Sequence, residues 1–573
     1  MEPMAKQGFS KGLTHYGDPE FSRFLRGAFL RQMGFDAEDM EKPIVGVFNT
    51  ESDLNPCHRG FKELAPAVRR GVLEAGGLPV EVPTISLGET FLNPTAMLFR
   101  NLMAMDTEEM IRAQPLDAVV LMGGCDKTTP AQLMGAASAG VPAIHLAAGS
   151  MLTGDYQGER LGACTDCRRL WGEFRAGRIG EEEITRIQGQ LMPTAGTCMV
   201  MGTASTMACL TEALGMTVPG GASPPAAYAD RLRIGVETGR EAVRMAESGL
   251  TPEKIMTPDA FENAVRVLLA IGGSTNGIVH LTAMAGRLGI RIELSVFDRL
   301  AEETPMIVNL KPSGAYYMED FHKAGGMRVV LQALKDRLHL DCLTVTGRTL
   351  GDLLSGEYAH PEWQEVILPA DRPLQEKGGM AILTGNLCPD GAVLKRSAAT
   401  PDLLQHGGRA VVFDGLEDLS ARIDDEALDV SPEDILVLRN AGPIGAPGMP
   451  EAGYIPIPKK LARQGVKDMV RISDARMSGT AFGTIVLHMA PEAAVGGALA
   501  LVRDGDRIEL DVERRRLELM VDEGELARRK EQWTPPAQDA PRGYTRLHLE
   551  QVQQANLGCD LAFLRPPMRH TLA

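Results

Sequence analysis

A cysteine, an aspartate and a lysine stand side by side at Cys125-Asp126-Lys127, within DAVVLMGGCDKTTPAQLMGAASAGVPAIHLAAG at residues 117–149. The run at 118–122 is apolar and valine-rich with no polar alternation, as in a strand buried on both faces of a parallel sheet. Gly123 and Gly124 end it. Thr129 followed by Pro130 predicts an N-cap and a first helical position, residues 131–139 predict a helix that stops at Gly140, and 141–146 the next strand. The triplet therefore lies at the carboxyl end of a strand beside a helix N-terminus. Open α/β sheets bind ligands there, and the helix end favours a thiolate.

Other reactive residues say less by themselves. Cys57 and Cys198 fall in loops beside predicted helix starts, but no CxxC spacing joins them to Cys125, and spacing alone reads all three as buried structural cysteines. Cys164-Thr165-Asp166-Cys167 could be a redox pair or half of a zinc site; with no second CxxC in the chain it reads as an incidental pair. Cys209, Cys342, Cys388 and Cys559 carry no motif. Taken singly, Glu89 and Glu451 are solvated carboxylates, Asp126 a helix cap and Ser478 a turn residue before glycine. The glycine-rich 271–276 lacks the GxxxxGK[ST] pattern of a phosphate loop.

The elements that must position these residues follow an α/β rhythm. Residues 1–42 read as helical and polar, with an amphipathic helix at 21–33. Strands are predicted at 43–49 and 80–85, helices at 61–75 and 94–112, so three strands end in loops carrying Cys57, Glu89 and Cys125. A polar insertion occupies 151–192, helical sequence runs on from Cys198 to Leu214, and residues 225–290 are mainly helical. Mixed α/β sequence continues to about residue 350. After a linker-like stretch at 361–379, short strands dominate, at 380–383, 410–413, 435–438, 469–472, 507–510 and 517–521, separated by Gly/Pro turns. The expectation is an N-terminal parallel-sheet α/β domain over 1–370 and a C-terminal β-barrel-like domain over 371–573.

Composition sets bounds. A chain of 573 residues exceeds one compact core, and 59 basic against 75 acidic residues give a net charge of −16, which argues against a nucleic-acid or anionic-membrane surface. A small anionic substrate remains compatible if a metal supplies local positive charge. The start MEPMAKQGFSKG lacks the apolar core of a signal peptide, and no apolar run has spanning length. Nine widely spaced cysteines do not form a secreted disulfide framework. A reducing cytoplasm is expected.

Three segments decide more than spacing does: GCDKTTPAQLMGAAS around Cys125, GTCMVMGTASTMACLTEALGM around Cys198, and RISDARMSGTAFG at 471–483. Together they resemble the iron-sulfur dehydratase family of dihydroxy-acid, 6-phosphogluconate and sugar-acid (aldonate) dehydratases. The resemblance runs from NTESDLNPC at 49–57 to the late strands.

It implies a 2Fe-2S cluster on Cys57, Cys125 and Cys198, with one iron short of a fourth protein ligand and so open to Lewis-acid chemistry. It implies Mg²⁺ on Glu89, Asp126 and Glu451, with Lys127 matching a lysine that is carbamylated in family members. Ser478 matches the family's base, a role that needs a nearby cation to hold its alkoxide. Thr480 and Arg476 could contact substrate hydroxyls or carboxylate, or serve structure. The implied reaction is loss of water from a 2,3-dihydroxy acid to give a 2-oxo-3-deoxy acid, in a cleft between the two domains, in a homodimer or homotetramer.

The segment GTCMVMGTASTMA is similar to the sugar-acid branch. This puts an aldonate such as arabinonate, xylonate or gluconate first, dihydroxyisovalerate second and phosphogluconate third, since no basic phosphate pocket is legible. An iron-sulfur sensor on the same fold would need the cysteines but not Glu89, Glu451 or Ser478. A zinc-binding structural protein built on CTDC is a third possibility.

Overall fold

The computed structural model describes residues 7–13 and 16–572; residues 1–6 of the expected N-terminal helical stretch lie outside the described residues. Within it α1 (Pro19–Gln32) follows an Asp18 cap whose carboxylate accepts from the Glu20 and Phe21 N–H groups.

Four parallel strands then form the first sheet: β1 (Ile44–Asn49), β2 (Leu78–Pro83), β3 (Ala118–Gly123) and β4 (Ala143–Ala147), in the order β2-β1-β3-β4. They are joined by α2 (Phe61–Glu74), α3 (Ala96–Ala113) and α4 (Thr128–Ala139). β3 is buried at every position because both faces are covered. Val45, Val47, Val120 and Met122 pack on the side of α2, and Ile44, Phe48, Val119 and Leu121 on the side of α3 and α4. The chain leaves β1 in one direction and returns to β3 in the other, so the carboxyl ends of β1 and β3 flank a topological switch point.

The helix after Cys125 starts earlier than expected. Thr128 opens α4, its N–H reaching Cys125 O at 2.9 Å. Pro130 is its third residue, where the first turn needs no N–H.

A hairpin of β5 (Gly154–Tyr156) and β6 (Glu159–Leu161), with α5 (Thr165–Arg175) and α6 (Glu181–Gln188), makes up the polar insertion. α7 (Thr203–Ala213) and α8 (Ala229–Ser248) follow. α8 crosses α2 backbone to backbone: a Cβ on Gly71 would stand 2.0 Å from Val236 O, and one on Gly239 2.2 Å from Val68 O. Residues 249–350 hold further helices and one short strand, β7 (Ile290–Ile292), less sheet than the mixed pattern suggested.

The C-terminal half is an eight-stranded, nearly closed barrel-like sheet. Its strands are β8 (Ala381–Leu383), β9 (Ala392–Leu394), β10 (Gln405–Asp414), β11 (Ile435–Arg439), β12 (Arg471–Ser473), β13 (Ile485–Leu487), β14 (Arg507–Asp511) and β15 (Arg516–Leu519). The order is β15-β14-β10-β11-β12-β13-β9-β8, and a bridge between Thr384 and Arg516 draws the two edges together. Alternation does the sorting: Ala410, Val412, Ile435, Val437 and Ile472 fill the interior, whereas Val411, Phe413, Leu436 and Leu438 pack outward under Leu419 and Leu461. β9 and β13, three residues each, went unpredicted. The chain ends by returning to the first half, where β16 (His570–Leu572) pairs with β7 and Asp560 holds the buried Arg287 at 2.7 Å. No helix among the described residues is long and apolar enough to cross a membrane.

Candidate active site

Parallel strands aim their carboxyl ends one way, so the loops after β1, β2 and β3 converge. Cys57 follows β1, Glu89 follows β2, and Cys125, Asp126 and Lys127 follow β3. From the barrel, the loop after β11 brings Glu451 and the loop after β12 brings Arg476, Ser478 and Thr480.

The carboxylates of Glu89, Asp126 and Glu451 each offer an oxygen within 4.8 Å of the others. Lys127, fully buried, lies among them, with Nζ 2.5 Å from Asp126, 3.4 Å from Glu89 and 3.8 Å from Glu451. Arg476 closes the group from the barrel side: Nη1 donates to Glu451 at 2.6 Å, and Nη2 to Glu89 at 3.1 Å and to Thr95 Oγ1 at 2.7 Å. Thr95, capping α3, also donates to Glu89 at 2.8 Å.

Burial works against the Glu89 charge, but Lys127 and Arg476 outweigh it and hold its carboxyl at about 2. Glu451 is pushed up by burial, with Glu89 and Asp126 adding repulsion against the pull of Arg476 and Lys127. On Lys127, burial and Arg476 pull the pKa down and the three carboxylates more than restore it, so the net shift is upward. The ammonium stands where a cation is wanted.

The thiols gather on the other side of Asp126, whose Oδ1 is 3.6 Å from Cys125 Sγ. Cys125 neighbours Cys57, and that thiol together with burial raises its pKa well above the usual thiol value. Cys198 is raised likewise by its hydrogen bond to Cys164 and by burial, with Cys57 close enough to add repulsion.

Cys164 is the surprise: its Sγ lies 3.8 Å from Cys198 Sγ. The CxxC set aside as incidental is thus next to a predicted cluster ligand, a contact that sequence distance concealed.

Ser478 Oγ is 2.9 Å from Thr480 Oγ1. Their loop lies on the start of α7 with no space to spare, since a Cβ on Gly479 would stand 2.6 Å from Ser274 Cβ and 2.7 Å from Thr203 N. A Cβ on Gly202 would come within 2.8 Å of Thr480 Cγ2 and 4.0 Å of Cys198 Cβ, so Thr480 and Cys198 approach each other across Gly202. The structure thus brings every sequence-predicted residue into one region.

Three positioning residues escaped the sequence reading. His58, beside Cys57, donates from Nδ1 to Thr50 O at 2.9 Å and accepts the Cys125 N–H on Nε2 at 2.9 Å, which fixes its tautomer. Buried Asp474 accepts from the Ala441 and Ala493 N–H groups, and Glu492 from Ile444 and Gly445, so together they shape the loop leading to Glu451. An acid just ahead of the ARMSG motif was the legible hint for Asp474.

Burial depresses His58 from 6.5 to about 4, so its share of stability is full above 6.5 and is lost as pH falls through 4. The advantage of the wild type over His58→Gln in denaturant unfolding is expected to narrow by about 3 kcal/mol between pH 7 and pH 4. A constant difference would mean that His58 is not held neutral.

Comparison with known proteins bears on the same region. The family profile described as dihydroxy-acid/6-phosphogluconate dehydratase N-terminal matches residues 42–353, and its C-terminal counterpart matches 365–559. The chain belongs to this family. L-arabonate dehydratase of Azospirillum brasilense is 50% identical over 559 residues, 96% of each chain. L-arabinonate dehydratase of Rhizobium leguminosarum bv. trifolii is 48% identical over 96% of this chain and 95% of its own. A 6-deoxy-6-sulfo-D-gluconate dehydratase of Pseudomonas putida is 46% identical over 94% and 93%. The protein is an enzyme of the hydro-lyase class, from the sugar-acid/dihydroxy-acid dehydratase family.

Proposed function

We propose that the enzyme dehydrates an aldonate to its 2-oxo-3-deoxy acid, using a 2Fe-2S cluster and Mg²⁺, with a pentonate such as arabinonate as first candidate. One observation carries the reading: a set of soft thiols and a set of hard carboxylates adjoin through consecutive residues, Cys125 and Asp126, beside the loop of Ser478. The sugar-acid names of the relatives support the substrate class.

The residues fit both groups. Three half-buried carboxylates whose charges are only partly offset by an intruding ammonium and a guanidinium suit a small oxygen-seeking cation. Clustered thiols with raised pKa values call for a cation to hold them as thiolates. When bound, the two groups supply Lewis acidity, one toward the enolate charge and the other toward the leaving hydroxide.

The chain's own residues do the rest. Ser478 takes the C2 proton on Oγ, with Thr480 Oγ1 as its hydrogen-bond partner, and Arg476 spaces Glu89 from Glu451. A cavity of about 1190 Å³ opens beside Cys164 and Cys167, between α5, α6 and the barrel's Tyr454 and Lys467. Arg168 on its wall lies over the Tyr454 ring, and Arg175 is paired there with Asp424.

Carbamylation of Lys127 starts from the ammonium, which loses one proton to give the amine and a second as its nitrogen bonds CO₂, turning the intruding cation into an anionic oxygen donor. The Mg²⁺ affinity of metal-depleted enzyme is expected to tighten with added bicarbonate and weaken in CO₂-depleted buffer. Equal affinities would remove Lys127 from the ligand set.

The division at residue 370 is kept as the working one, with the return of 552–572 to the first half as its exception. A homodimer or homotetramer is supported by the exposed Phe21, Phe24, Phe29 and Met33 on and beside α1. The reading is tested by anaerobic purification, iron, sulfide and magnesium analysis, and a keto-acid assay across arabinonate, xylonate, gluconate and dihydroxyisovalerate. Colourless, iron-free and inactive protein would sink it; preference for dihydroxyisovalerate would move it to the second substrate class.

A further inference from the structure

The two residues between Cys164 and Cys167 reach the catalytic loop. Thr165, buried at the start of α5, donates from Oγ1 to Thr480 O at 2.9 Å, a buried bond across 315 residues of sequence. Thr480 in turn is the residue that faces the Ser478 hydroxyl. Its Oγ1 stands 2.9 Å from Ser478 Oγ, and its N–H donates to the same oxygen at 3.4 Å. Ser478 O accepts from the Ala481 N–H at 3.0 Å, so Gly479 and Thr480 form the centre of a tight turn whose placement sets where Ser478 Oγ points.

Asp166 fixes the donor. Buried beside Thr165, it accepts from the Gly162 N–H at 2.7 Å, from Arg169 Nε at 3.1 Å and from Lys311 Nζ at 3.0 Å. Lys311 O accepts from the Met201 N–H at 2.8 Å, one residue before the Gly202 against which Thr480 packs. On the other flank of Ser478, Asn276 Nδ2 donates to Met477 O and to Thr203 Oγ1, each at 3.0 Å. The carbonyls that bracket Ser478 are thus held by side chains of the first half.

We propose that Thr165 is a positioning residue for proton abstraction: through the Thr480 carbonyl it keeps the Thr480 hydroxyl and N–H against Ser478 Oγ, which makes the polar insertion part of the catalytic machinery. The inference rests on Ser478 as the base. An oxygen that gives up its own proton in order to take another is favoured by donors aimed at it, and two donors on one residue are only as well aimed as that residue is held.

The bland alternative is that Thr165 merely satisfies a buried carbonyl. It explains the bond but not its place. The N-cap of α5, Cys164, makes no side-chain cap bond, and the Thr165 hydroxyl leaves its own helix for a loop of the other half. That loop already has anchors, with Gly479 seated on Ser274 and Thr203 and with Met477 O held by Asn276. What Thr165 adds is control of the one residue that bears both groups facing Ser478 Oγ.

The test compares the wild-type holoenzyme with Thr165→Val and Thr165→Ser, using arabinonate, or the acid that the keto-acid assay selects, together with its 2-deuterated form. Valine keeps the shape and removes the donor; serine keeps the donor. Thr165→Val is expected to match the wild type in cluster spectrum and Mg²⁺ content, with KM within about twofold and kcat about 10- to 100-fold lower. Exchange of the C2 hydrogen should fall in step, and the C2 deuterium isotope effect should grow as proton abstraction becomes the slow step. Thr165→Ser is expected to regain most of the loss. Unchanged kcat and C2 exchange in Thr165→Val would overturn the proposal, as would a loss confined to KM or one that serine fails to regain.

Should the valine variant not fold, Thr165→Ala takes its place with the same expectations. If neither folds while Thr165→Ser does, the bond belongs to stability and the proposal is overturned. Ser478→Ala shows which reading has failed: C2 exchange that persists in it removes the premise, whereas a silent Thr165→Val beside an exchange-dead Ser478→Ala removes Thr165 alone.

Discussion

Ser478→Ala is expected to bind iron, sulfide and Mg²⁺ as the wild type does, to unfold at the same temperature within a degree or two, and to lose dehydration by roughly 10²–10⁴-fold. The hydroxyl's one hydrogen-bond partner of note is Thr480 Oγ1, on the same loop. Gly479 already seats that loop against Ser274 and Thr203 whatever residue precedes it, so removal of one oxygen leaves the packing intact. On the proposed mechanism, what disappears is the acceptor for the C2 proton. The sharpest readout is exchange of the substrate's C2 hydrogen with deuterated solvent, which should fall along with turnover. If Ser478→Ala exchanged the C2 hydrogen at the wild-type rate while failing to dehydrate, the base would be another group and Ser478 would belong to a later step.

The second large effect is a contrast between neighbours. Cys125→Ser should lose the visible cluster spectrum, whereas Asp126→Asn should keep it, lose Mg²⁺ and fall in activity by about three orders of magnitude, in line with the loss of a catalytic metal's contribution of several kcal/mol. The side chains lie on adjacent residues, Sγ and Oδ1 only 3.6 Å apart, yet they face different partners: Cys125 meets Cys57, and Asp126 meets Lys127. Asp126→Asn removes one of the three charges that hold the Lys127 ammonium and leaves Glu89 and Glu451 in place. A fully active Asp126→Asn enzyme would falsify the reading of this turn as a bridge between two metals. Loss of colour in both variants would mean that the two sites cannot be filled independently.

Much of the architecture was legible in the chain because burial on both faces leaves a simple record. Residues 118–122 carry no polar side chain, and β3 is buried throughout. The barrel was harder to read. β10 runs to Asp414 from a polar Gln405 start, and only its valine centre is apolar enough to read as strand, while β9 and β13 are too short for any periodicity.

Local pattern placed Cys125 at a strand end, but its partners come from loops scattered along the chain and were reached only through motif resemblance. Resemblance had its own blind spot, since it directed attention to matched positions and away from Cys164. His58 links the Thr50 carbonyl to the Cys125 N–H, and Thr95 links Arg476 to the Glu89 carboxylate. No spacing rule marks such contacts, because they depend on where two loops meet.

Arg476 reaches from the barrel to Glu451 on its own half and to Glu89 on the other, while Lys127 sits among the same carboxylates. Two built-in cations therefore offset most of the negative charge of the three carboxylates. Small zinc domains stay unfolded until the ion comes, because nothing else neutralises their ligands. Here two side-chain cations answer the carboxylates from within the chain, so charge balance in the folded pocket is a property of the chain itself.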